Sequence, residues 1–155
     1  MRPALTDYQM SLLPVVRSLI AGKSWLPPSY VFAHVRIESG WNPTIKASDY
    51  ARTGSVGLMQ VSSADVQQMV AEGYIPAEES VQTIAINSLA TGIAYIGWCR
   101  EFLMNRWGFH QSIAYHPVCE AYNEGVGNVV RGIRDDAYWL KWSYAQMGYS
   151  FIDER

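Results

Sequence analysis

Apolar residues recur at intervals of three and four along most of the chain, which is the spacing of one helix face. The first such stretch includes Leu12, Val15, Val16 and Leu19 and predicts a helix that is bent or begun at Pro14. No sustained alternation of apolar and polar residues, the sign of a half-buried strand, occurs. The pattern therefore predicts an all-α protein.

Five further helices follow from the same periodicity and from the residues that begin and end helices. Pro28 suits the first turn of a helix that Gly40 stops. Ser62, with Asp65 three residues later, resembles a capping box that opens the next helix. The other predicted helices cover about 78–106, 117–125 and 135–147. Segment 41–55 is rich in loop residues and is expected to hold at most a small β-hairpin.

The composition narrows this picture to one folded domain over residues 1–155. Hydrophobic residues make up 49% of the 155 residues and charged residues 17%, enough for a sizeable core. A net charge of −2 without a run of lysine or arginine argues against nucleic-acid binding. Aromatic residues reach 13%, so some rings could stack on sugar faces while others pack in the core.

Cysteine and histidine usage predicts neither a disulfide framework nor a metal site. Cys99 and Cys119 are too few for a disulfide scaffold, although one bridge between them could form. The three histidines lie far from any paired cysteines, so no zinc pattern is present and no cofactor is expected. The apolar stretch 12–20 contains Pro14 and Arg17 and predicts neither a signal peptide nor a membrane span.

Glu38 is the leading candidate for an acid catalyst. It follows an apolar helical run and precedes a Ser-Gly-Trp sequence. Burial of a carboxyl group there, beside Trp41, would raise its pKa, which is what a general acid needs at neutral pH. The alternative is a solvent-facing glutamate paired with His34, one helical turn earlier, or with Arg36.

Two further segments carry side chains that suit an amino sugar. Gly57 permits close backbone approach just before Met59 and Gln60, which offer an apolar group and an amide. An amide can donate to and accept from the N-acetyl and hydroxyl groups of such a sugar. Tyr122 and Asn123, which are adjacent and precede a glycine turn, supply a phenol and a second amide. Alone, either segment could be an ordinary loop or helix end.

In this order the segments resemble the soluble lytic transglycosylase family, which is related to goose-type lysozyme. The resemblance covers about residues 28–132, and segment 135–155 beyond it is expected to be a helix that closes the domain. Its motifs are Glu38-Ser39-Gly40-Trp41-Asn42-Pro43, Ala47-Ser48, Gly57-Leu58-Met59-Gln60-Val61, Asn87 with Gly92 and Tyr95, and Ala121-Tyr122-Asn123-Glu124-Gly125-Val126-Gly127.

The resemblance implies a lysozyme-like domain that cleaves the MurNAc–GlcNAc β-1,4 bond of peptidoglycan. Glu38 takes the position of the single acid/base, and the MurNAc 6-hydroxyl attacks to give a 1,6-anhydro ring. The substrate's N-acetyl group then replaces a carboxylate nucleophile, an exception to the two-carboxylate scheme. The implied substrate-binding residues are Ser48, Met59, Gln60, Tyr95, Tyr122 and Asn123. The implied supporting residues are Ser39, Trp41 and Gly57.

A hydrolytic alternative stays open because the loop between Glu38 and Gly57 is longer than in many soluble transglycosylases and closer in length to that of goose-type lysozyme. This loop carries Asp49, which could be a second carboxylate that positions water, or a residue that caps a turn. The position after Gln60-Val61, acidic in goose-type enzymes, is Ser62 and weakens this alternative. An inactive glycan-binding or structural virion module is the alternative from another class.

The expected setting follows from the lack of an export signal in this sequence. A protein made in the cytoplasm would reach cell-wall murein by holin-type release or as part of a virion, so we expect a bacteriophage lysin. The expected partner is the peptidoglycan glycan strand, and the expected state is a monomer.

Overall fold

The computed structural model describes residues 3–154 and is helical almost throughout. The eight α-helices over these residues are α1 Asp7–Leu19, α2 Pro28–Ser39, α3 Tyr50–Thr53, α4 Ser63–Ala71, α5 Ala85–Trp107, α6 Tyr115–Glu124, α7 Val126–Val130 and α8 Asp136–Tyr149. Two 3₁₀ helices, Ala77–Ser80 and Ser150–Asp153, complete the helical elements. The all-α prediction is confirmed. In place of a hairpin, segment 41–57 has one antiparallel bridge, Lys46–Val56.

Helices α2 and α5 form the centre of the molecule. α2 packs along α8, whereas α5 contacts α1, α4, α6 and α7. Buried apolar side chains from these helices form one hydrophobic core with Leu58 and Met59 of the loop before α4. The α2 terminus that bears Glu38 is thereby fixed against the rest of the fold.

The capping signals place two helices as predicted. α2 begins at Pro28 and ends before Gly40, whose φ of +57° is the left-handed conformation that glycine adopts readily. The Ser62 side chain accepts a hydrogen bond from the Asp65 backbone N–H at the start of α4. α8 begins one residue after Asp135, whose carboxylate accepts from the Tyr138 N–H at 3.0 Å.

The predicted start of the long helix at residue 78 is wrong, because α5 begins at Ala85. The buried side chain of Gln82 donates hydrogen bonds to the Glu79 carbonyl at 3.0 Å and the Thr91 hydroxyl at 2.9 Å. These bonds fix a turn before α5, and the nearby apolar residue Ile84 is left half exposed, at 51%. Apolar spacing alone cannot reveal such a turn.

Two smaller boundaries also differ from prediction. α6 begins at Tyr115, so Pro117 lies in its first turn, where a backbone N–H has no helical partner. After Gly125 the chain forms the short helix α7 instead of remaining a turn through Gly127.

Cys99 and Cys119 are buried free thiols, so the bridge considered from the sequence is not formed.

Most of the aromatic side chains pack between helices. Trp142 of α8 stacks on Trp139 and meets the Tyr30 ring edge-on, with centroids 5.2 and 4.9 Å apart. Tyr115 of α6 lies against the same Trp142 ring. This cluster joins α2, α6 and α8, which accounts for much of the aromatic content.

No helix over residues 3–154 is long and apolar enough to cross a membrane.

Candidate active site

Glu38 lines a cleft of about 350 Å³ at the C-terminal end of α2. The cleft is bounded by the loop before α4, by α5 and by the end of α6. Its lining residues are Glu38, Ala47, Asp49, Arg52, Thr53, Ser55, Gln60, Val61, Ser62, Asp65, Tyr95, Tyr122 and Asn123. The cleft therefore brings together five of the predicted site residues with Glu38: Asp49, Gln60, Tyr95, Tyr122 and Asn123.

The Glu38 carboxyl group is held in its protonated form at neutral pH. Its side chain is half-buried in the last turn of α2, and burial raises its pKa to about 8. A protonated carboxyl group that faces an open cleft can donate its proton to a bound ligand.

His34 does not pair with Glu38, which removes the ion pair with His34 that the sequence left open. The imidazole is fully buried, and its two nitrogens lie 2.9 Å from the Tyr138 hydroxyl and 2.7 Å from the Tyr115 hydroxyl. Burial lowers the pKa of His34 to about 3, so it is neutral at physiological pH. His34 therefore carries no positive charge that would lower the pKa of Glu38.

Tyr122 lines the cleft and is held in place by a hydrogen bond to Met59 behind it. The Tyr122 hydroxyl donates to the Met59 carbonyl at 2.5 Å, and the Met59 N–H donates to the Ser88 hydroxyl at 3.1 Å. Burial raises the pKa of Tyr122 well above 10, and the nearby Glu38 carboxylate raises it further. Met59 is fully buried against Gly92. It lies behind Tyr122 and does not line the cleft, whereas the sequence suggested that it contacts substrate.

Replacing Tyr122 with phenylalanine is expected to lower the free energy of unfolding by about 2 kcal/mol, because the buried Met59 carbonyl loses its donor. Urea denaturation measures this loss. Tyr144→Phe is the matched control, since Tyr144 is 68% exposed. Equal stability of both variants would contradict the structural role of the Tyr122 hydroxyl.

Gln60 closes the loop that borders the cleft. Its side-chain Nε2 donates to the carbonyls of Ile45 and Gly57, both at 2.8 Å, and its backbone adopts a φ of +53°. The Gly57 N–H also donates to the Ile45 carbonyl at 3.0 Å. The amide nitrogen of Gln60 is thus used within the protein, and its Oε1 is the atom left to accept a hydrogen bond from a ligand.

Ser39 and Trp41 support the end of α2 from outside the cleft. The Ser39 hydroxyl donates to the Val35 carbonyl at 3.0 Å and accepts from the Trp41 N–H at 3.2 Å. The Trp41 indole donates to the Tyr149 hydroxyl at 2.9 Å and packs edge-on against Phe32. Trp41 is not among the residues that line the cleft, and its indole is directed to Tyr149.

Asp49 lies in the cleft but is already paired. Its carboxylate accepts from Arg52 at 2.8 Å and from the Thr53 hydroxyl at 3.3 Å, within the turn that leads into α3. Ser48, the neighbouring residue, is exposed and does not line the cleft. The residues on either side of Ser48, Ala47 and Asp49, line the cleft instead.

Tyr95 and Asn123 border the far side of the cleft. The buried Tyr95 ring stacks on Trp98 and meets the Tyr122 ring edge-on. The Asn123 side chain donates to the Asp135 carboxylate at 2.6 Å, which ties the end of α6 to the start of α8. Both residues are thus held in place by neighbouring helices.

Several polar residues line the cleft that the sequence did not assign to the site: Arg52, Thr53, Ser55, Ser62 and Asp65. The predicted capping box was the available signal for two of them. The Ser62 hydroxyl donates to the Asp65 carboxylate at 2.9 Å. Because that cap starts a helix beside Glu38, it also places two polar side chains in the cleft.

Among residues 3–154, one group outside the cleft has ligand atoms close enough together to hold a metal ion. His116, Glu120 and Asp136 each offer an atom within 4.8 Å of the others. The buried Glu120 carboxylate already accepts two hydrogen bonds from Arg134, at 2.8 and 2.7 Å, and one from the Asp135 N–H. This guanidinium, which lowers the pKa of Glu120, occupies the place a cation would take.

The helical fold and the cleft define a lysozyme-like protein. More specifically, the chain belongs to the transglycosylase SLT domain family, because a model of that family matches residues 19–144. A search of curated protein sequences gave no match.

Solved structures of lytic transglycosylases share the fold. The 70-kDa soluble lytic transglycosylase from Escherichia coli is 22% identical with a TM-score of 0.56, over 86% of this chain and 21% of that chain. The complex of the 70-kDa soluble lytic transglycosylase with bulgecin A is 22% identical, with a TM-score of 0.60, over 90% and 22%. An inactive glutamate-to-glutamine mutant of the lytic transglycosylase Slt from Pseudomonas aeruginosa is 17% identical, with a TM-score of 0.62, over 90% and 22%. The chain thus spans about a fifth of their length.

Proposed function

We propose that this chain is a peptidoglycan lytic transglycosylase with Glu38 as its single acid/base. The observation that carries the proposal is the Glu38 carboxyl group, which has a raised pKa and faces the cleft. Membership of the transglycosylase SLT domain family supports the reaction class. The inactive relative differs from its parent by one glutamate-to-glutamine change, which fits a mechanism that depends on one carboxyl group.

In the proposed reaction, Glu38 acts first as an acid and then as a base. Its carboxyl proton moves to the glycosidic oxygen as the bond from MurNAc C1 to that oxygen breaks. The substrate's N-acetyl group stabilises the positive charge that develops at C1. The MurNAc 6-hydroxyl then attacks C1 and gives its proton to the Glu38 carboxylate. The acid is regenerated, no water is consumed, and the product carries a 1,6-anhydro ring.

The goose-type alternative, a muramidase that uses Asp49 to position water, is weaker on this geometry. The Asp49 carboxylate is bound to Arg52 and Thr53, so its charge and lone pairs are partly used. A carboxylate that serves as a base works best with a free lone pair directed at the water. We therefore favour the transglycosylase over the hydrolase.

The pKa of Glu38 sets the expected pH dependence. The rate of murein cleavage is expected to fall as the pH rises through about 8, because the proton donor is lost. A rate that stays constant up to pH 10, measured on murein with the fold intact by circular dichroism, would contradict Glu38 as the acid.

The same shift predicts the pH dependence of stability. The pKa of Glu38 is about 8 in the folded chain and near 4.5 when exposed, so the folded chain binds more protons between these values. The free energy of unfolding therefore falls as the pH rises through this window. Glu38→Gln removes this part of the dependence, which urea denaturation at several pH values would show.

The test of the proposed function is incubation of the purified chain with isolated murein sacculi. Release of soluble muropeptides is expected. Binding of glycan strands without any release would instead support the inactive glycan-binding module. The phage setting expected from the sequence stays a prediction.

A further inference from the structure

A second cavity adjoins the cleft on the side of α3. It has a volume of about 500 Å³ and lies between residues 50–54 and 62–64, and we call it the side cavity. Arg52, Thr53 and Ser62 line both the cleft and the side cavity. Because the two spaces share these residues, one branched ligand could occupy both at once.

The two spaces differ in charge. The cleft is lined by the acidic residues Asp49 and Asp65 and by Arg52, whereas the protonated Glu38 adds no charge at neutral pH. Among the described residues that line the side cavity, Arg52 alone is charged. Lys46 adds positive charge nearby, since its ammonium group lies 4.7 Å from the centre of the Tyr50 ring. An anionic group is therefore favoured in the side cavity and disfavoured deeper in the cleft.

Arg52 is placed to bind such a group. Its side chain is 78% exposed, and one of its nitrogens, Nη2, donates to Asp49 at 2.8 Å. A guanidinium has five N–H donors, so others remain for a ligand. Planar carboxylates match this donor geometry. The hydroxyl-bearing residues Tyr50, Thr53, Ser62 and Ser63 also line this space.

Building on the proposed function, we propose that the side cavity binds a carboxylate carried as a branch on the substrate glycan, through Arg52. Peptidoglycan has such a branch on every MurNAc, either as the carboxylate of the lactyl ether or as carboxylates of the attached peptide. Chitin, a polymer of GlcNAc, has none. Arg52 is then a specificity-determining residue that favours a muramyl glycan over an uncharged one.

The test measures binding in the Glu38→Gln background, so that no ligand is consumed. Calorimetry compares uncharged chitooligosaccharide, glycan strands stripped of peptide, and strands that retain peptide. Arg52→Gln is expected to weaken binding of a carboxylate-bearing strand about fivefold, the effect of one exposed ion pair, and to leave chitooligosaccharide unchanged. A loss confined to stripped strands identifies the lactyl carboxylate, and a loss confined to peptide-bearing strands identifies the peptide.

A second variant tests the competition for Arg52. Asp49→Asn is expected to strengthen binding of the same strands, because it frees Arg52 and removes a repelling charge. Arg106→Gln is the control, since Arg106 is exposed at the end of α5 and lines neither space. The proposal is overturned if Arg52→Gln affects charged and uncharged ligands equally, or affects neither. Intact murein after incubation with the unmodified chain would instead count against the proposed function.

Discussion

Glu38→Gln is expected to lower the rate of murein cleavage by about a thousandfold, the largest effect that we predict for activity. Glutamine keeps the size of the side chain and its hydrogen-bonding capacity but has no proton to give to the glycosidic oxygen. At neutral pH it replaces a carboxyl group that is itself uncharged, so the fold and its stability should survive. Release of soluble muropeptides measures the rate, and thermal unfolding checks the fold.

Glu72→Gln is the matched control for this change. Glu72 is exposed at the C-terminal end of α4 and does not line the cleft. The same replacement of a carboxyl group by an amide there should leave the rate unchanged. Comparable rates in both variants would show that Glu38 does not supply the proton.

Gly57→Ala is expected to have the largest effect on stability, a loss of about 3 kcal/mol or more in the free energy of unfolding. Gly57 has a φ of +89°, and an added Cβ would lie 2.1 Å from the backbone carbonyl of Gln82. Backbone cannot yield as a flexible side chain does, and Gln82 is held by the hydrogen bonds of its buried side chain. Steric overlap and the left-handed conformation both add to the cost.

Gly22→Ala separates these two contributions. Gly22 has a similar φ of +82°, but an added Cβ there would meet nothing within 4 Å. Urea denaturation should therefore show a loss of only about 1 kcal/mol for this variant. Equal losses for both variants would mean that the close approach of Gly57 to Gln82 does not matter.

The fold was predictable wherever helix signals are local. Pro28 and Gly40 bound α2 because one fixes φ at a helix start and the other adopts a positive φ at its end. The start of α5 was missed because it depends on the Gln82 side chain, which bonds to Thr91 in the next element. Tertiary hydrogen bonds of this kind leave no periodic trace in the sequence.

The candidate site was predictable in part, for a similar reason. The apolar run of α2 placed Glu38 where burial raises its pKa. The direction of Trp41 was not predictable, since its φ of +70° turns the ring toward Tyr149. Asp49 and Arg52 line the cleft, whereas Ser48, which the sequence predicted there, does not. Which of these residues faces the cleft depends on the loop conformation, which residue types alone do not determine.

Mass spectrometry of murein digested by the unmodified chain and by Glu38→Gln tests the central claim most directly. The proposed mechanism predicts muropeptides that end in 1,6-anhydro-MurNAc from the unmodified chain and almost none from the variant. Products with reducing ends alone would contradict the transglycosylase mechanism, and anhydro products from Glu38→Gln at the unmodified rate would contradict the role of Glu38.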